Sequence, residues 1–239
     1  MTELLHILQP FHEILPLDGR TPLCTPTSPH NLTACCGGFF AYLGVKVNVL
    51  KRVASGLVPC KYPYVRKSAS TYSDILTVTV SVDGLPLSAS STKTFWPILG
   101  ILDQAVDKVP FVIGIFYGPE TKRSNSNEVL KMFVDECLIL QSEGIKANKN
   151  TYSFRVSCVV ADAPARSFVK CIASHNSLHG CEKCVQEDVF VGRATWPYSK
   201  TLQLRKDCTF KNIGYKDHQR DKSRLSDLDL GLVTQVPLD

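Results

Sequence analysis

No stretch of this 239-residue chain approaches the roughly 18 consecutive apolar residues that a membrane-spanning helix requires. The opening residues, Met1 to Phe11, lack the basic flank that precedes the apolar run of a secretory signal. An intracellular, soluble protein with no membrane segment is therefore expected. A disulfide-stapled secreted mini-protein is not expected either, although there are ten cysteines. Most of them sit singly inside apolar runs, where Cys137 and Cys158 read as small buried hydrophobes. A large excess of one charge is also missing. The net charge of +5 suits a polyanionic partner without demanding one, since many metabolic enzymes are as basic. What is present is a 44% apolar content, ordinary for a packed domain. The length allows one sizeable core, with or without a small added module.

Three regions follow from the pattern. Residues 1–72 read as an N-terminal extension and linker: a short helix around Leu4, Leu5, Ile7 and Leu8 is stopped by Pro10, and Lys61 to Ser73 form the link to the main domain. Residues 39–56 mix helical and strand-like spacing and are assigned to neither. Residues 73–172 carry the core, and residues 173–239 a CxxC element with a basic C-terminal segment. The segment from Lys211 to Arg224 is basic and polar, a solvated surface stretch or a contact for a polyanion.

In the core, Leu76, Val78, Val80 and Val82 alternate with Thr77, Thr79 and Ser81, which predicts a strand ending at Asp83-Gly84. Strands are also predicted over Ile98 to Leu102 and Phe111 to Phe116, with connections that lack a helical pattern, so the three form an antiparallel meander. Ser124 or Ser126 offers an N-cap for a helix running to Gly144, with Leu130, Phe133, Val134, Cys137 and Leu138 on one stripe. A strand from Tyr152 to Val160 then ends at Asp162, and the helical link makes it parallel to the first. This is the element order of an RNase H-like core, and of other α+β domains too. If the two strands are neighbours, Asp83 and Asp162 project from one sheet edge, where a shared Mg²⁺ would relieve their repulsion. Two such ions support phosphodiester cleavage or strand transfer. The alternative is that both acids cap turns, as Asp-Gly commonly does. Asp103, Asp107, Asp135 and Glu136 read as surface groups, and Glu182 and Glu187, beside the CxxC turn, are poor candidates for a third acid.

Cys181-x-x-Cys184 has zinc-knuckle spacing, with His175 and His179 just before it. Four ligands within ten residues would strain the chain, so a half-site completed from elsewhere is expected. The alternatives are a redox pair, for which no thioredoxin-like pattern is present, or two incidental buried thiols.

Several strings, taken together, resemble the CACTA/En-Spm-like DDE-type DNA transposases. They are Val82 to Leu87, Phe95 to Gly100, Pro110 to Gly114, Phe133 to Glu136, Asp162 to Arg166, and His175-Asn176 followed by Gly180 to Cys184. The resemblance runs from Leu4 to the last residue. It implies an α/β (α+β) fold with an RNase H-like core, a mixed sheet and a small CxxC zinc-knuckle-like element. Asp83 matches the first catalytic acid and Asp162 the second, both ligands to Mg²⁺ or Mn²⁺. Cys181 and Cys184 match a zinc element, His175 a recurring position, and His179 a less regular one. The partner implied is DNA at transposon ends, in the nucleus, with homo-oligomers in the full-length family. Family members continue past Asp239 into a long helical region bearing the third acid and further zinc ligands. The expectation is thus a fragment, inactive as it stands. The competing expectations are a non-enzymatic nucleic-acid-binding descendant, or a zinc-knuckle module on an unrelated α+β domain.

Overall fold

The computed structural model describes residues 6–7, 9–11, 32–58, 75–86, 93–119, 125–147, 150–192 and 194–238. Two compact units are distinguished, Met1–Leu32 and Thr33–Asp239. In the first, His6 and Ile7 are helical and Gln9–Phe11 form a 3-10 turn. Most of the helix expected around Leu4 to Leu8, and the whole Lys61 to Ser73 linker, lie outside the described residues.

Strands β1 (Leu32–Cys35) and β2 (Gly38–Tyr42) are followed by helix α1 (Val45–Ala54). The meander comes next: β3 (Ile75–Val82), a short β4 (Leu85–Pro86), β5 (Lys93–Leu102) and β6 (Phe111–Pro119). Helix α2 (Ser126–Glu143) leads to β7 (Ile145–Ala147), β8 (Asn150–Val160) and helix α3 (Ala163–Val169). A small hairpin, β9 (Val189–Phe190) with β10 (Ala194–Thr195), and helix α4 (Asp207–Lys211) complete the order. The sheet runs β1-β2-β6-β5-β3-β8-β7, with β4 beside β5. Its pairings are antiparallel at β2/β6, β6/β5, β5/β3 and β7/β8, and parallel between β3 and β8. The fold is a mixed α/β one.

The alternating valines of β3 do bury one face: Leu76, Val78, Val80 and Val82 are each almost fully enclosed. Helix α2 lays Val129, Leu130, Phe133, Val134, Cys137 and Leu140 against the sheet, packing on β8. Asn125 caps it, its side chain accepting from the Glu128 N–H, where Ser124 or Ser126 was expected. Gly144, at φ 72, ends it as the sequence indicates.

The unassigned stretch 39–56 holds a strand and then a helix, which explains its mixed spacing: β2 extends the sheet beyond β6, and α1 buries Val45, Val49 and Val53. Gly44, at φ 87, offers α1 no capping side chain. The carboxylate of Glu136 on α2 does so instead, accepting from the backbone N–H of Val45 (2.6 Å) and Lys46 (3.2 Å) and from the Tyr42 hydroxyl. Glu136 is therefore a buttress between two helices and not the surface group expected. Asp103, which accepts from the hydroxyls of Thr77 and Thr79 at 2.7 Å each, is likewise structural.

Beyond the basic segment, Leu225, Leu228, Leu232, Val233 and Val236 are buried. The segment itself, Lys211 to Arg224, is exposed over most of its length, as a solvated stretch would be, with His218, Gln219 and Ser223 buried. Some of its cations are paired, Lys222 with Asp227 at 2.7 Å and Arg224 with Asp135.

Candidate metal and CxxC sites

The position of the two acids depends on a bulge. Up to Val78↔Val156 the parallel ladder is regular, and Tyr152, Phe154 and Val156 face inward. The register then shifts, so that Thr79 pairs with Cys158 and Ser81 with Val160, leaving Ser157 as the extra residue. Past the bulge it is Val159 and Ala161 that point inward. The ladder ends at Ser81↔Val160; continued by two residues, its register would bring Asp83 and Asp162 level on one face, and both are exposed. Without the bulge, Asp162 would share the inward face of Val156. The bulge's backbone groups are satisfied by Gln235: Val159 N–H donates to its carbonyl at 3.0 Å, and its side-chain amide donates to Ser157 O at 2.7 Å.

Each acid commits one oxygen to backbone. Asp162 is the N-cap of α3, its Oδ1 accepting from Ala165 N–H at 2.8 Å, and Asp83 Oδ1 accepts from Gly84 N–H at 2.7 Å. The turn-capping role is therefore real, and it leaves each carboxylate a second oxygen for another task. Gly84 is constrained by packing, since a Cβ there would come within 2.8 Å of the Trp96 ring.

Beneath Asp162, one face of the chain carries Arg166 and Lys170 at successive helical turns, both almost fully buried. Arg166 Nη1 donates to Ala161 O (2.7 Å), which fixes the residue between the end of β8 and the acid. Its Nε donates to Glu182 Oε1 (2.8 Å), while Lys170 Nζ donates to Glu182 Oε2 (2.6 Å). Burial would push the Glu182 carboxyl up, but the two cations outweigh it and hold Glu182 below the usual carboxylate range. Burial lowers the Lys170 ammonium, against the pull of Glu182. With both oxygens occupied, Glu182 is unsuited to be a third metal ligand.

Glu182 lies inside the Cys181-x-x-Cys184 turn, and its neighbour Lys183 donates to Val236 O at 2.8 Å and to Val233 O. The two middle residues thus bind the turn to α3 on one side and to the C-terminal segment on the other. The sulfurs converge, with the Cys184 thiol donating to Cys181 Sγ at 3.2 Å. Two thiolates around a tetrahedral zinc would stand about 3.8 Å apart, so the pair fits two of its positions with a small movement. The structure does not bring His175 to them: among the described residues, only Cys35, Cys36 and Glu128 place three ligand atoms within 4.8 Å of one another. His179 contributes its backbone, its carbonyl lying 2.7 Å from His218 Nδ1. A carbonyl only accepts, so Nδ1 carries the proton and the Nε2 lone pair is bare. That Nε2 is buried and without a protein partner. Burial, the largest influence, pushes the His218 imidazole down to about 4.

Sequence reasoning missed His218, which looks like part of a polar tail, and the Cys35-Cys36-Glu128 cluster, whose members stand far apart in the chain. The only local signal for the latter was the Cys-Cys-Gly-Gly run of residues 35–38. Among the described residues, no helix is long and apolar enough to cross a membrane. No protein-family model matches the chain, and no curated protein matches it either.

Proposed function

We propose that this chain carries two acids of an RNase H-like, metal-dependent DNA-processing core of the kind found in CACTA/En-Spm-like DDE-type transposases, with DNA as its partner in the nucleus. The observation that carries the proposal is the parallel pairing of β3 with β8, whose register, shifted at Ser157, would bring Asp83 and Asp162 level at the same end of the two strands. That edge follows an antiparallel meander and a helical crossover, the order of elements on which such a core is built. Bound there, Mg²⁺ or Mn²⁺ would help activate an attacking oxygen and stabilise a leaving one in phosphodiester chemistry. Asp83 and Asp162 would each offer the oxygen not held by backbone. Arg166 positions Asp162 through the Ala161 carbonyl, and Cys181 with Cys184 would contribute two thiolates to a zinc that rigidifies the adjoining turn. Among the described residues, no third ligand atom completes a three-ligand cluster with the two acids. The expected activity of the chain on its own is therefore metal-assisted DNA binding without strand cleavage.

The test is binding to a labelled duplex at fixed salt, with and without Mn²⁺, alongside a nicking and strand-transfer assay. Mn²⁺ should strengthen binding in the natural chain and not in Asp83→Asn or Asp162→Asn. Strengthening that persists in both variants, or that never occurs, would defeat the proposal. Robust turnover by the natural chain, abolished in Asp162→Ala, would show that a third ligand is present after all.

A further inference from the structure

Three ligand-type side chains, Cys35, Cys36 and Glu128, gather where β1 and β2 turn toward the start of α2. The turn residues Cys36 and Gly37 both have positive φ, 49 and 73. In a two-residue hairpin loop of that kind Asn or Asp normally takes the first position and Gly the second. Cysteine there adopts a backbone that L residues avoid, at a cost of about 1–2 kcal/mol. The conformation turns the Cys36 thiol toward α2, where it donates to Asn125 O at 3.3 Å and to Glu128 Oε2 at 3.4 Å. The Cys36 N–H donates to the other oxygen, Glu128 Oε1, at 3.0 Å.

Glu128 is the third residue of α2, from where a glutamate ordinarily reaches back to the N–H of the capping residue. Here both of its oxygens face Cys36. The Cys35 thiol completes the group, so that three ligand atoms lie within 4.8 Å of one another. Bonds of about 2.3 Å to sulfur and 2.1 Å to oxygen at a tetrahedral angle separate the two ligands by about 3.6 Å. The observed 3.4 Å between Cys36 Sγ and Glu128 Oε2 is close to that spacing. Cys35 is buried, Cys36 half-buried and Glu128 exposed, which leaves a route from solvent and room for water as a fourth ligand.

We propose that Cys35, Cys36 and Glu128 bind a thiophilic divalent cation, zinc by chemistry, which clamps the β1–β2 hairpin to the start of α2. Both thiols lose their protons to solvent as the ion binds, and the Glu128 carboxylate, now a hydrogen-bond acceptor, becomes a ligand. Nothing in this depends on the proposed DNA chemistry or on Cys181 and Cys184.

The test uses the full chain, reduced and stripped with a chelator, then titrated with Cd²⁺ while the thiolate-to-metal absorption is followed. Cys184→Ser should retain one equivalent of tight Cd²⁺ binding, and adding Cys36→Ser should remove it. Glu128→Gln, an exposed change that leaves both thiols in place, should weaken that equivalent by about tenfold or more. Zn²⁺ should raise the melting temperature of the Cys184→Ser chain and leave that of the chain also carrying Cys36→Ser unmoved. Undiminished Cd²⁺ binding in the folded Cys36→Ser, Cys184→Ser chain would overturn the site. Unchanged affinity in Glu128→Gln would overturn the three-ligand assignment. If Cys36→Ser does not fold, Cys35→Ser serves as the second thiol variant and is judged by the same outcomes.

Discussion

Glu182 is the anion between two buried cations, and its removal should be among the costliest single changes in the chain. Glu182→Gln keeps the volume but leaves Arg166 and Lys170 facing a neutral amide, and a broken buried pair typically costs about 3–5 kcal/mol. Urea unfolding of the variant should show a loss of that order; a loss below about 1 kcal/mol would mean the cluster is not the anchor described. His218 makes a pH-dependent contribution. Its folded value of about 4 lies below the 6.5 of an ordinary imidazole, so the unfolded chain takes up the proton first. The stability associated with neutral His218 is complete above about pH 6.5 and is lost as pH falls toward about 4, by about 3 kcal/mol in all. In His218→Gln, unfolding free energy measured across that window should fall less steeply than in the natural chain.

The bulge in β8 is the element on which the acid pair depends, and Gln235 is what satisfies it. Gln235→Ala removes the side-chain donor to Ser157 O and the acceptor of the Gly231 N–H, at about 1–3 kcal/mol for each group left unsatisfied. The same variant should weaken metal binding at Asp83 and Asp162 more than a surface change of equal stability cost. Calorimetric titration with Mn²⁺, compared with thermal unfolding of both variants, separates the two effects. Four of the ten described strands, β3, β5, β6 and β8, and the long helix were legible in the sequence, β3 by its strict alternation and α2 by an apolar stripe bounded by Gly144. The parallel neighbourhood of β3 and β8 was also legible, from the helical crossover between them. The bulge was not, since Val159-Val160 reads as well in one register as in the other. Helix α1 was hidden for another reason: its N-terminus is capped by Glu136, far along the chain, and not by a residue before it. His175 has plausible spacing, but among the described residues no three-ligand cluster includes it.

At the scale of the whole molecule, one sheet carries an acid just past the end of each of two neighbouring strands, a thiol pair in a nearby turn, and a separate cysteine-glutamate cluster at the hairpin. The C-terminal segment joins the first two of these: Gln235 holds the bulge and Lys183 caps the carbonyls of Val233 and Val236. The partial neutralisation of that segment also bears on DNA. With Lys222 and Arg224 engaged by Asp227 and Asp135, fewer cations are available for phosphate than the composition suggests. Duplex binding without metal should accordingly be weak, with a shallower salt dependence than the composition suggests.

The central claim is that Asp83 and Asp162 form one cation site. Electron paramagnetic resonance titration with Mn²⁺, in the absence of DNA, tests it most directly. One Mn²⁺ site is expected, weakened in Asp83→Asn and in Asp162→Asn and abolished in the double variant, because each change removes half of the same ligand pair. Binding that survives the double variant at the natural affinity, or two equivalents of which each single variant removes one, would contradict the claim.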